Sequence, residues 1–551
     1  MKITIRLKDR DDILELQEAT VLTEILKRYE NEFSYPIYAA KVNNAYRALT
    51  HKLTHDSFVE FLDMRNQATW VIYQNSLELL YIKAVHDIMG KDAFVTIENS
   101  LNKGLYTHIK PQANEETVSK IEDRMHELVD EDLPIIKEHL TKDELLYLSN
   151  SLKLSKTTEL IETVKESDSF EVYSLSDEVA IFYSLMVPST GYLKLFELRP
   201  YRNGILLRYP HMDEPSTLPE YEDQTLLYNA FVEADKWGKL MNINFLSDLN
   251  ERIVNRDYEE LFLMQEALHE KHIAEIADMI KERKRKIVLI CGPSSSGKTT
   301  FAKRLCIQLQ VIGLKPFYLG TDDYFVEEDE NPVDENGEKD LESIKAVDTK
   351  LFVSNLKDLM AGKEVDIPSF DFVKKTKIFG KRITKLQNDG VIVIEGIHAL
   401  NRLLTEGIDD DQKFKIYISP FTPIGIDHHN RIPTTDARML RRLVRDHQFR
   451  GRSPQNVLEE WVKVRKSENV NIFPFNKEAD VFFNSNCIYE LAVLKKYAEP
   501  LLKQISRNQS EYAEAERMLS LLRYIDTIDN DEDIANNSIL REFIGGSVIV
   551  K

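Results

Sequence analysis

The chain switches between stretches of period two and stretches of period 3.6, and these predict its elements in order. Residues 2–8 alternate apolar and polar positions, as a half-buried strand does. Residues 20–29 carry apolar side chains at helical spacing, and 37–42 and 58–62 read as further short strands. A helix is predicted over 76–89, a strand over 93–98 and a charged amphipathic helix over 116–130. Alternation returns between 182 and 207, interrupted by Pro-Ser-Thr-Gly and Arg-Asn-Gly turns, which predicts paired strands. Residues 236–284 read as helical, with a charged helix over 257–285 whose solvated end is the basic run 281–286. Residues 287–291 are apolar throughout, as a strand buried on both faces is. A helix over 300–310, strands over 315–319, 391–395 and 415–419, and helices over 489–504 and 510–525 follow. The closing stretch, 538–546, reads as a packing tail.

Composition narrows the picture. At 551 residues the chain is expected to hold several domains. Its net charge of −20 argues against non-specific nucleic-acid binding, while a local basic patch in the N-terminal half stays open. Cys291, Cys306 and Cys487 are scattered without metal or disulfide spacing. The first residues, MKITIRLKDRDD, lack the apolar core of a signal peptide, and no apolar run reaches the ~18 residues of a membrane span. A cytoplasmic protein with no membrane partner is the expectation, with a homo-oligomer left open. His51 and His55 have the spacing of a metal pair but sit in a strand–turn context and read as surface or packing residues.

The chemistry is concentrated after the apolar run. Gly292-Pro293-Ser294-Ser295-Ser296-Gly297-Lys298-Thr299 fits G-x-x-x-x-G-K-[ST], with Thr300 opening the next helix. The glycines let backbone N–H groups converge, and a helix N-terminus adds partial positive charge, so the point attracts phosphate. Lys298 can reach the β- and γ-phosphates, and the Thr299 hydroxyl can ligate Mg²⁺. Asp322 and Asp323 follow the second strand, where a carboxylate can take the proton of an attacking hydroxyl or help hold Mg²⁺. Glu395 ends the strand 391–395 and can bind Mg²⁺ directly or through water. Arg438, Arg442 and Arg445 recur at helical spacing, which predicts a basic lid that neutralises the transferring phosphoryl group.

These motifs carry a resemblance. GPSSSGKTT, DDYF, IPSFDF, IVIEGIHAL and TTDARMLRRLVRDHQFRGR are together similar to the uridine kinase and phosphoribulokinase family of P-loop kinases. The resemblance implies a P-loop fold over 285–490, a parallel sheet with flanking helices, with ATP and Mg²⁺ as cofactors and a small-molecule hydroxyl as acceptor. It implies Asp322 as the base, with Asp323 as the fallback. Lys298 and Thr299 take the phosphate and Mg²⁺ roles, Glu395 is the second acid, and Asp340 matches loosely an acid that holds ribose hydroxyls. The implied acceptor is the 5′-hydroxyl of a nucleoside of the uridine or cytidine type. Phe370-Asp371-Phe372 and Lys375 stand where the family carries Tyr-Asp-Phe and a histidine, and Phe325 replaces a family tyrosine. A sugar, polyol or vitamin-precursor kinase is therefore an alternative, as is a nucleotide-switched RNA-binding protein.

The N-terminal half has its own resemblances. Residues 1–62 suggest a β-grasp unit similar to the TGS domain of threonyl-tRNA synthetases and some GTPases. Residues 63–235 form an α+β block that resembles the second domain of those synthetases, in the same order. That family's helical His-x-x-x-His pair is reduced here to His86, which implies a binding or regulatory role instead of hydrolysis. A helical linker over 236–284 and a helical tail over 491–551 complete a multidomain α/β and α+β chain.

Overall fold

The computed structural model describes residues 1–7, 10–17, 19–164, 169–333, 337, 339–371 and 374–550. Five parallel strands carry the C-terminal half: β1 (Ile287–Cys291), β2 (Lys315–Gly320), β3 (Gly390–Glu395), β4 (Lys413–Ser419) and β5 (Val481–Asn484). Their spatial order is β2-β3-β1-β4-β5. β1 takes the centre because all of its residues are apolar and buried. Ile287, Leu289 and Cys291 enter the apolar cluster on one face, and Val288 and Ile290 enter the cluster on the other. β3 repeats the pattern with Ile392 and Ile394 against Val391 and Val393.

Parallel neighbours need crossovers, and helices supply them. α1 (Lys298–Val311) follows β1, while α2 (Thr434–Arg450) and α3 (Pro454–Asn471) connect β4 to β5. Chain order reverses beside β1, so a crevice opens at the carboxyl ends of the strands. The helix Glu259–Glu282, which precedes β1, buries Leu261, Ile273, Ile276, Ala277 and Ile280 in one of the two clusters. Its Glu266 and Glu270 pair with Arg304 of α1 at 2.9 and 2.6 Å, so this stretch packs as a layer on the sheet.

The N-terminal sheet is mixed, in the order Asp11–Glu15, Lys2–Arg6, Ser57–Asp63, Ile37–Val42, Ala45–Ala48. Lys2–Arg6 and Ser57–Asp63 run parallel, and the helix Leu22–Tyr29 packs Leu22, Ile25 and Tyr29 on one face. Lys8, at the end of the first predicted strand, lies outside the described residues. The next unit is built on the long helix Gln67–Met89, which begins where the Asn66 side chain caps the Ala68 N–H at 2.9 Å. A four-stranded sheet accompanies it, ordered Glu197–Tyr201, Gly204–Arg208, Gly104–Lys110, Phe94–Leu101.

The strand pair predicted over 182–207 is half present. Glu197–Tyr201 and Gly204–Arg208 form the hairpin, but 182–187 has no ladder. There the Val187 N–H donates to the Ser76 hydroxyl at 3.0 Å and Pro188 has no N–H to give, so the alternating side chains pack without a partner strand. Among the described residues no helix is long and apolar enough to cross a membrane.

The junction between α1 and β5 gives a stability test. Phe301 is fully buried and its ring centroid lies 4.4 Å from that of Phe483. Phe301→Ala is expected to lose about 3–5 kcal/mol in denaturant unfolding followed by circular dichroism. A loss under about 1 kcal/mol would show that the ring is not part of the packed core.

Candidate active site

Two glycines shape the turn from β1 into α1. A Cβ on Gly292 would lie 2.1 Å from the Ile418 carbonyl oxygen, so only glycine lets the loop approach β4 this closely. Gly297 has φ +82°, the left-handed region that favours glycine. The amino end of α1 then lies at the carboxyl edge of the sheet, where its first N–H groups have no acceptor within the helix. Lys298 is buried and donates to the Pro293 carbonyl at 3.1 Å. Thr299 Oγ1 donates to Glu395 Oε2 at 3.3 Å, and the Tyr318 hydroxyl reaches the same oxygen at 3.0 Å.

The acids come from the ends of β2 and β3. Asp322 opens to the crevice, yet its enclosed surroundings push its carboxyl above the usual range, with Lys298 and Arg450 opposing. Asp323 is not free, because Arg382 holds it at 2.5 Å. Burial pushes Glu395 up to about 7; Lys298 opposes this and Asp322 adds to it. A hydroxyl and a carboxylate 3.3 Å apart are hard oxygen donors at a spacing that suits Mg²⁺, and a half-ionised buried carboxyl is what a divalent cation would restore to its charged form.

The arginines of α2, expected to supply charge from a lid, are largely packed inside the protein. Arg438 and Arg441 are among the largest fully buried side chains of the protein. Arg438 donates to the Ser294 carbonyl at 2.9 Å and pairs with Glu468 of α3. Arg441 binds the Ser485 carbonyl at 2.8 Å and pairs with Glu490. Arg442 donates to the Ser294 hydroxyl at 3.0 Å, whereas Arg445 is turned to Asp446 at 2.7 Å. The buried acids opposite these arginines explain the packing: each guanidinium enters the interior with a carboxylate.

The remaining predicted residues lie on the far side of the crevice. Phe370 belongs to the hairpin Ser369–Asp371 and Thr376–Ile378, and its ring lies 5.7 Å from that of Phe325. The Asp371 side chain accepts from the Lys374 N–H at 3.0 Å. Lys375 reaches Glu328 at 2.5 Å. Phe372 and parts of the acidic stretch 327–340 lie outside the described residues. Asp340 accepts from the Glu342 N–H at 3.2 Å, and it is Glu342 that stands in the field of Lys298, Asp322 and Arg442, with burial raising its pKa. His398, from IVIEGIHAL, is buried and pushed down to about 4 by that burial.

The tail adds an acid that no motif announces. Glu542 Oε2 accepts from both the Thr300 N–H at 3.2 Å and the Thr300 hydroxyl at 2.6 Å. A Cβ on Gly297 would lie 2.5 Å from Ile539 Cγ2, and Phe543 lies under the Arg441 guanidinium at 4.9 Å. Away from the crevice, both ring nitrogens of His86 are engaged, by Glu178 at 2.7 Å and the Ala93 carbonyl at 3.0 Å. His51 and His55 belong to no metal-sized cluster among the described residues; one such trio forms where Cys487 meets Glu266 and His269, three residues apart on the helix Glu259–Glu282. Arg304 already holds Glu266, so that trio has a counter-cation.

Residues 287–491 match the model of the Phosphoribulokinase / Uridine kinase family. A uridine kinase of Macrococcus caseolyticus is 30% identical over 36% of this chain and 87% of its own length. Uridine kinases of Staphylococcus haemolyticus and Staphylococcus aureus are 32% and 33% identical, each over 35% of this chain and 85% of their own lengths.

A nucleotide phosphate and the Glu542 carboxylate would seek the same Thr300 donors. Glu542→Gln is therefore expected to tighten MgATP binding about tenfold in calorimetry, the scale of one charge-assisted hydrogen bond. An unchanged Kd would show that the carboxylate leaves the donors without loss.

Proposed function

Because residues 287–491 make this chain a member of the phosphoribulokinase / uridine kinase family and a phosphotransferase, we propose that it transfers the γ-phosphoryl group of ATP to a primary hydroxyl, that of a pyrimidine nucleoside first. The observation that carries this reading is the convergence of Lys298, Thr299, Asp322 and Glu395 from the ends of three adjacent strands. Mg²⁺, when bound by Thr299 and Glu395 with Asp322 beside them, neutralises charge on the phosphate oxygens. Lys298 exchanges the Pro293 carbonyl for a phosphate oxygen, and the loop N–H groups hold the rest of the chain of phosphates. Asp322 accepts the proton of the acceptor hydroxyl, and its raised proton affinity suits a base. Arg442 and Arg450 add positive charge, while Arg438 serves by holding Ser294 in place.

The rings of Phe325 and Phe370, tilted 57° to one another, each offer a face against which a base can stack. Lys375 is neutralised by Glu328, which favours an uncharged acceptor over a phosphorylated one. The same two phenylalanines favour a second reading, an alcohol other than a nucleoside, because neither ring can hydrogen-bond a base edge. For the N-terminal half we infer a TGS-like unit followed by a synthetase-like one without editing chemistry. The strand order of the first sheet and the engaged ring of His86 support this.

The test is ADP release with MgATP against nucleosides, sugars and polyols. Uridine or cytidine is expected to give turnover that Asp322→Asn lowers by roughly 10³ and that Lys298→Ala also removes, with both variants folded by circular dichroism. Turnover near wild type in Asp322→Asn would sink the assignment of the base. Turnover with another alcohol alone would select the second reading.

A further inference from the structure

A cavity of about 1130 Å³ lies between the N-terminal half and the sheet-bearing unit. Small-ligand pockets run from roughly 300 to 1,000 Å³, so a packing defect does not account for this volume. Its wall draws on each unit: Arg47 from the first sheet, Trp70 and Glu78 from the helix Gln67–Met89, and Arg431 and Arg465 from the C-terminal unit. We propose that this cavity binds a small phosphate-bearing polyanion, and that the occupant weakens nucleotide binding at the Gly292–Thr300 loop through Glu468.

The sign of the wall selects the ligand class. Arginines and lysines outnumber carboxylates among the lining residues, nine to six, in a chain whose overall balance is 72 to 92 the other way. Several of these cations are already matched. Arg517 grips Asp436 at 2.7 and 2.8 Å, and Lys477 holds Glu222 at 2.8 Å. Arg431 makes no such pair: among the described residues its Nε is buried without a hydrogen-bond partner, as is the Nε of Arg465. The carboxyl in whose field Arg431 lies is Glu78, which is buried and bonded by the Gln74 amide at 2.8 Å. Burial pushes Glu78 up to about 8, the Gln74 amide and Arg431 opposing, so this carboxyl offsets little of the guanidinium's charge near neutral pH. A planar fork of donors with positive charge matches phosphate oxygens in pairs.

The same wall touches the loop. Arg465 donates to Glu468 Oε2 at 2.7 Å, and Arg438, also on the wall, pairs with Oε1. Oε1 accepts the Ser294 N–H at 3.1 Å, and Arg438 Nε donates to the Ser294 carbonyl at 2.9 Å. A polyanion in the cavity competes with Glu468 for two arginines. Glu468 then loses the charges that make its burial tolerable, and Ser294 loses its anchor. Coupling of this kind is reciprocal, so nucleotide weakens the polyanion by the same factor.

The test uses the full chain and inorganic pyrophosphate, with the loop filled by a saturating non-hydrolysable ATP analogue and excess Mg²⁺. Calorimetry is expected to show a saturable pyrophosphate site that Arg431→Gln weakens about tenfold, the loss of one charge-assisted contact. Titrating the analogue with and without pyrophosphate is expected to show its Kd rise, and Arg431→Gln is expected to move that rise to about tenfold higher pyrophosphate while leaving phosphoryl transfer without pyrophosphate unchanged. No saturable site in the loop-filled protein overturns the proposal. So does a site indifferent to Arg431→Gln, or binding that leaves the analogue's Kd untouched. These binding readouts need no phosphoryl acceptor, so their failure is distinct from failure of the proposed reaction.

Discussion

The phosphate loop depends on one buried carboxylate. Glu468 is 1% exposed and accepts the Ser294 N–H while pairing with Arg438 and Arg465. A buried ion is tolerable only when its partners are all in place. Here each partner comes from a different position: the loop, α2 and the preceding turn of α3. Arg441 makes a second node of the same kind with Glu490 and the Ser485 carbonyl. The shape of the loop, the packing of α2 on α3 and the cavity wall are thus one electrostatic problem. α2 is a strut that positions the loop, because swinging it out as a lid would separate two buried ion pairs.

The other side of the loop is dominated by negative charge. Asp322, Glu342, Glu395 and Glu542 share the neighbourhood of Lys298 or Thr300, and burial raises the proton affinity of the first three. Phosphates brought into such a crevice meet like charge. The arrangement makes sense with a cation held between Thr299 and Glu395, since a divalent ion reverses the local field and stabilises both the carboxylates and the phosphates. Two arginines of α2 reinforce this, Arg442 from mid-helix at Ser294 and Arg450 from the helix end in the field of Asp322.

What the sequence could reveal follows the range of each interaction. The apolar run of β1 was legible because both faces of a central strand are buried, and the loop was legible because its geometry is local. Lys298, Thr299, Asp322 and Glu395 follow from strand ends, which the period of the pattern marks. The arginines of α2 were legible as a cluster but not as buried residues. Their partners lie further along the chain, Glu468 in α3 and Glu490 beyond β5, and spacing carries no sign of them. Glu342 was masked by its neighbour Asp340, whose side chain is spent on a local turn. The stretch 182–187 kept a strand's alternation but lost its ladder to a serine hydroxyl from a distant helix.

The loop is therefore gripped from two directions. Glu468 and the arginines behind it hold Ser294, at the entry to the loop, and open onto the N-terminal half. Glu542 holds Thr300, at its exit, with Ile539 closing over Gly297. Glu542 lies beyond the residues that the family model matches, and the cavity wall reaches into residues that precede them. Phosphoryl transfer of this kind rests on placing phosphates and charges more than on covalent chemistry. A grip at either end of the loop acts on that placement directly, so both added parts of the chain are built where they can change how nucleotide binds without touching Asp322.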